Sequence, residues 1–153
     1  AQTRFSDIDW DVFEDSDDID RLELELMMED LSVIVTDFIY FSDTYHYLAL
    51  GFDHFLTAAE AFDNERWADA ADRFSEAYED FATAHSTISR GEEEASDEFI
   101  DDFIGLTCLT KAFRDSADHY QEAAEAAEAN DWDRANEEAD QAEQALERCD
   151  YEG

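Results

Sequence analysis

Hydrophobic residues recur along the chain in alternating steps of three and four, through Leu24, Met27, Leu31, Ile34, Phe38, Phe41, Tyr45, Leu48, Phe52, Phe55, Ala59 and Phe62. That spacing keeps one helix face apolar and follows the a/d line of a coiled-coil-like seam. It predicts one helix of about 39 residues, about 58 Å long at the helical rise. Gly51 lies inside it and weakens it slightly. A second line runs through Phe99, Phe103, Leu106, Thr110, Phe113, Ala117, Tyr120, Ala124 and Ala127. Each long line meets a short polar break, Asp63-Asn64-Glu65-Arg66 or Asn130-Asp131, in which Asn64 and Asn130 are natural caps. Shorter lines follow, one through Trp67, Ala71, Phe74, Tyr78, Phe81, His85 and Ile88, the other through Trp132, Ala135, Ala139, Ala142, Leu146 and Cys149. Ser89-Arg90-Gly91 separates the two units, with Gly91 suited to the left-handed residue that ends a helix.

The breaks lie inside two near-copies, AAEAFDNERWADA at Ala58–Ala70 and AAEAAEANDWDRA at Ala123–Ala135, which are 65 positions apart. The same offset lays Asp37-Phe38-Ile39 on Asp102-Phe103-Ile104, and Asp53-His54 on Asp118-His119. Across 37–84 and 102–149 it gives 12 identities in 48 positions, which suggests a duplicated unit. The expected fold is all-α, a four-helix bundle built from two duplicated antiparallel helical hairpins with long first helices. It forms a single domain over 1–153. Residues 1–20 are an acidic and aromatic N-terminal segment, 21–89 the first hairpin repeat and 92–150 the second. The Ala-rich approach, polar turn, Trp and spaced Ala and Phe resemble tetratricopeptide-type hairpins over about 25 residues per copy. The 34-residue period of that family is absent and the first helices are too long. The resemblance implies a helical interaction scaffold.

The expected arms are unequal, with returning helices of about 20 residues against outgoing ones of nearly 40. The first halves of the outgoing helices, near 24–42 and 92–108, carry a second apolar face: Val33, Val35, Ile39 and Tyr40 in one, Ile100 and Ile104 in the other. Such a face needs a cover. The candidates are the two halves themselves, the segment Phe5–Phe13 (FSDIDWDVF), or a second copy of the chain. A homodimer, or a complex with another protein, is the expectation.

Charge changes the picture next. The chain has 44 acidic and 9 basic residues in 153, a formal net charge of −35, with Lys111 the single lysine. Such a charge ordinarily accompanies disorder, but 14% of the residues are aromatic and Pro is absent. An ordered core wrapped in carboxylates and nearly free of lysine resembles proteins of extreme halophiles. The resemblance implies a surface that holds monovalent cations and folds in molar salt, where the Debye length is about 3 Å. Phosphate contacts need a basic patch and none is present, so nucleic-acid binding is not expected. No apolar run is long enough to span a membrane, since Asp37, Asp43 and Asp53 interrupt the best candidate, Leu31–Leu56. The chain does not begin with Met, which leaves room for an upstream export signal or anchor. The compartment stays open between a cell-surface or secreted location and the cytoplasm.

Candidate chemistry adds little. The long core lines contain no carboxylate, whereas a ferritin-like di-iron site needs inward Glu and Glu-x-x-His. His54 and His119 are repeat-equivalent and sit one residue before a core position, which reads as a helix-flanking place rather than a metal site. His85 falls on a core line and is expected to bond a neighbour such as Tyr45. The stretch His46-Tyr47-Leu48-Ala49-Leu50-Gly51 faintly resembles the signature of histidine phosphotransfer domains, without the usual Lys and with Gly one residue late. The acidic runs Asp15–Asp20 and Glu92–Glu94 lack the 12-residue calcium-loop pattern. No nucleophile–base pair or Gly-rich phosphate loop appears, so catalysis, a cofactor and a resident metal are not expected. The aromatic stripe reads first as core and second as the lining of an apolar ligand pocket. Cys108 and Cys149 stand at similar heights on their hairpin, but on faces that disagree by heptad count, so two free thiols are expected. The function these readings favour is non-enzymatic: a structural or protein-interaction module. A carrier of a small apolar ligand and a phosphorelay-type domain are the alternatives.

Overall fold

The computed structural model describes residues 21–149, so the readings made for 1–20, namely the acidic run Asp15–Asp20 and the segment Phe5–Phe13, lie outside the described residues. Four helices follow one another: α1 (Arg21–Asp63), α2 (Trp67–Glu94), α3 (Ile100–Glu128) and α4 (Trp132–Glu147). The protein is an all-α four-helix bundle of two antiparallel hairpins. The first helix of each hairpin is the longer, with 43 residues against 28 and 29 against 16. Each helix packs on its neighbours in sequence. α1 and α3 stand farther apart and meet through large rings, with centroid separations of 4.4 Å for Phe41–Phe103, 4.6 Å for Phe52–Phe113 and 5.7 Å for Phe55–Tyr120.

The sequence explains this division of labour. α2 buries small residues, Ala70, Ala71, Ala77 and Ala84, so both flanking helices approach its backbone closely. The bulk is supplied by Phe74, Phe81, Ile88 and Phe103, all essentially solvent-free. Burial stabilises each by about 2–3 kcal/mol. Gly51 and Gly91 serve the same close approach. A Cβ at Gly51 would lie 2.6 Å from Cδ1 of Phe81, and one at Gly91 would overlap the Phe103 ring. Gly91 therefore does not end a helix. It is buried inside α2, which continues to Glu94 and stops where Ala95 turns extended (φ −61°, ψ 144°). The returning arm of the first hairpin is longer than expected for that reason.

The two hairpin tips are built alike. Glu65 and Asn130, 65 positions apart, hold φ of 59° and 60°. The Glu65 amide donates to the Phe62 carbonyl and that of Arg66 to Ala61; equivalently, Asn130 donates to Ala127 and Asp131 to Ala126. This is the double bond of a Schellman helix end. Asn130 plays the expected role. In the first hairpin Glu65 takes the left-handed place, while Asn64 donates its side-chain amide to the Glu60 carbonyl at 2.6 Å. Trp67 then packs on Phe62 (4.9 Å) and on Trp132 (5.8 Å), joining the tips. At the far end of the bundle the offset fails at one pair, since Asp37 is buried and its counterpart Asp102 is exposed.

The expectation of two free thiols is overturned. Cys108 and Cys149 form a disulfide, with Cα atoms 5.7 Å apart. α4 ends at Glu147, so Cys149 lies beyond it and does not obey the helical phase from which its direction was read. Free of the helix, it turns to Cys108.

Candidate interaction surface

From Leu22 to Thr36 no residue of α1 is buried. This stretch is about 22 Å long, and its last turn lines a groove with Thr87 and Arg90 of α2. Leu22 is 65% and Met27 61% exposed, and Leu26, Leu31, Val33 and Val35 are exposed with them. The cause is the length of α2. It ends at Glu94, and the following link crosses α1 at Asp37, whose Oδ2 accepts from the Ser96 hydroxyl at 2.6 Å and the Ser96 amide at 3.3 Å. Asp37 is 1% exposed, a buried carboxylate of α1 that lies off the seam. It serves as a tie across the bundle end. Sequence periodicity missed it because Asp37 stands between the seam positions Ile34 and Phe38, in the row that faces the link.

The first half of α3 does not stand bare as expected. α2 covers it, with Phe103 and Leu106 buried, while Ile104 and Leu109 remain exposed. Two grooves open at the base of the α1 overhang. One, of about 510 Å³, lies between α1 and α2 and is lined by Val35, Ile39, Tyr40, Tyr47, Thr87 and Arg90. The other, of about 460 Å³, lies between α1 and α3 and is lined by Phe38, Phe41, Tyr45, Phe99, Asp102 and Leu106. A third cleft, of about 300 Å³, sits near the tips among all four helices, with Phe55, Phe62, Phe74, Tyr120 and Ala139 in its walls.

The histidines are dispersed. His54 Nδ1 lies 2.9 Å from Asp80, and His119 Nδ1 lies 2.9 Å from Glu138. Each ties the two arms of its own hairpin. His46 is exposed, its ring 5.3 Å from that of Tyr47. His85 bonds Thr110 of α3 at 3.3 Å instead of Tyr45, which is exposed. No group of three or more His, Cys, Asp or Glu able to hold a metal occurs among the described residues. No described helix is long and apolar enough to cross a membrane.

Burial, then the charge of Arg114, holds the His85 imidazole below its ordinary value of 6.5. Its folded pKa is depressed, so the unfolded state takes up a proton first as pH falls. The stability that His85 contributes is present above 6.5 and is lost below it. Lowering pH from 7.5 to 5.5 should therefore reduce the melting temperature of the native protein relative to His85→Asn. Parallel pH dependences for the two proteins would contradict this.

Comparison with family models, with curated proteins and with solved structures yields no match.

Proposed function

We propose that this chain is a non-enzymatic protein-interaction module adapted to high salt, and that it associates with a second copy of itself through the α1 overhang. The observation that carries the reading is the run of exposed apolar side chains from Leu22 to Val35, attached to an otherwise well-packed bundle. A contiguous apolar surface of this kind marks a binding site. The acidic surface fits salt adaptation, and the matching tips support descent of the hairpins from one duplicated unit. The Cys108–Cys149 bridge fits a location outside the reducing cytoplasm. Light scattering in 3 M NaCl should give about twice the chain mass of 17.6 kDa. Leu26→Glu combined with Leu31→Glu should return the monomer with its helix content intact. A native protein that stays monomeric at 100 µM would defeat the dimer.

One observation favours a second reading. The tip cleft has aromatic walls from several helices, as a carrier of a small apolar ligand requires. Under this reading a neutral naphthylamine dye should bind with enhanced emission, and Ala139→Phe, which fills the cleft, should abolish the signal. Unchanged emission on adding the native protein would remove it.

A further inference from the structure

Two cations stand against the disulfide. Cys108 and Cys149 are both half-buried and open onto a cavity of about 150 Å³, whose other walls include Lys111, Asp115 and Arg148. Lys111 follows Cys108 on α3 by three residues, so the two are neighbours on one helix face. Arg148 directly precedes Cys149, just past the last residue of α4. This setting runs against the composition of the chain, in which carboxylates outnumber basic residues 44 to 9. Arg66, Arg73, Arg114 and Arg134 each pair with a carboxylate, whereas Lys111 and Arg148 form no ion pair among the described residues. Asp115, the acid in the cavity wall, is already engaged by Arg114, whose Nε donates to it at 2.9 Å. The positive charge of Lys111 and Arg148 is therefore left to the two sulfurs and to whatever enters the cavity.

We propose that Cys108–Cys149 is a thiol–disulfide exchange site that takes small thiols carrying an anionic group. The incoming thiol gives its proton to solvent, and its thiolate attacks Sγ of Cys149, which lies beyond α4 and next to Arg148. Arg148 pairs with the anionic group of the incoming molecule. A sulfur–sulfur bond forms to Cys149 as the Cys108–Cys149 bond breaks. The electron pair of the broken bond leaves on Cys108 Sγ, as a thiolate beside Lys111. One disulfide is exchanged for another, so neither an oxidant nor a reductant is consumed. A cation beside the departing sulfur stabilises the thiolate, and a better-stabilised thiolate leaves faster. In dilute buffer the many carboxylates of the chain would repel an anionic thiol. At 1 M salt their reach falls to about 3 Å, and the charges in contact with the reacting groups decide. Exchange also unclasps α4, whose end the bridge holds to α3. The site uses no residue of the overhang, so it stands whether or not the chain dimerises.

The test opens the bridge of the full chain in 1 M NaCl with two thiols of opposite charge, 2-mercaptoethanesulfonate and cysteamine. Samples are quenched in acid and mapped by mass spectrometry, and each rate is expressed per thiolate. The sulfonate should open the native bridge faster than cysteamine does, and the mixed disulfide should lie on Cys149. Lys111→Gln combined with Arg148→Gln should slow the sulfonate at least fivefold and reverse the preference. Both side chains are exposed, so the helix content and melting temperature of this variant should match the native protein. Arg66→Gln removes a charge at the first hairpin tip and should change neither rate. Equal rates for the native protein and the double variant, a native preference for cysteamine, or an adduct on Cys108 would overturn the proposal. A double variant that merely loosened α4 would open faster, a change of the opposite sign, and would overturn it as well.

Discussion

Transferred from 3 M to 10 mM NaCl, the protein should lose most of its helical circular dichroism, and its melting temperature should fall by on the order of 20 °C. The net charge of −35 is carried by a chain of only 153 residues. At 10 mM salt the Debye length is about 30 Å, so every carboxylate feels most of the others; at molar salt it is about 3 Å and only adjacent charges interact. Local pairing does little to relieve the repulsion. The Arg66–Asp69 and Arg73–Glu76 pairs are at the surface, where such bridges contribute roughly 0–1 kcal/mol each, and the Arg134–Glu122 pair is fully solvated. The helix ends add to the problem. None of the four helices has a cation in its last turn, and α2 closes on Glu92-Glu93-Glu94. Acid at the negative end of a helix dipole is unfavourable by roughly 0.3–1 kcal/mol until salt screens it. Screening alone should be nearly complete by about 0.5 M, where the Debye length is already near 4 Å. A melting temperature that continues to rise to 3 M would therefore report strengthened apolar burial as well. An equal melting temperature in dilute buffer would refute the salt adaptation.

The fold was legible because the apolar steps of three and four persist through nearly every helix. Phe103, Leu106, Thr110, Ala117, Ala124 and Ala127, all on the second line, are buried. The overhang was legible too, since unequal arms follow from where the lines stop. What escaped the sequence was everything decided by neighbours rather than by phase. Gly91 looks like a stop, and the Phe103 and Tyr40 rings lying against it explain a glycine inside a helix. Asp37 looks like a surface acid, and only the crossing of Ser96 makes it a buried tie. The duplicated motif predicted the tips because their hydrogen bonds are local. It failed at Asp37 and Asp102, where one residue meets the link between hairpins and the other lies on the groove rim. The interaction surface follows the same logic. The apolar residues were visible, but which of them α2 leaves uncovered depends on its running to Glu94.

Opening the Cys108–Cys149 bridge should release α4 before anything else. The bridge closes a loop with a sequence separation of 41, which in the chain-entropy picture stabilises the fold by about 4 kcal/mol. α4 has little else. Its buried side chains are Ala135, Ala142 and Ala145, which remove far less apolar surface than the phenylalanines of α2. The remaining ties are the Trp67–Trp132 contact, the His119–Glu138 bond and the exposed Arg134–Glu122 pair. The α1–α2–α3 core shares none of these except Trp67 and is built around Phe74, Phe81 and Phe103. Cys149→Ser in 3 M NaCl should therefore lower the melting temperature by about 10 °C. Amide exchange in Trp132–Glu147 should become fast while the buried stretch of α2 stays protected. Alkylation of the unreduced native protein should add no mass, and after treatment with a dithiol it should add two groups. Two groups before reduction would mean that the bridge is absent. Uniform loss of protection across all four helices in Cys149→Ser would mean that α4 is an integral part of the core and not a clasped addition to it.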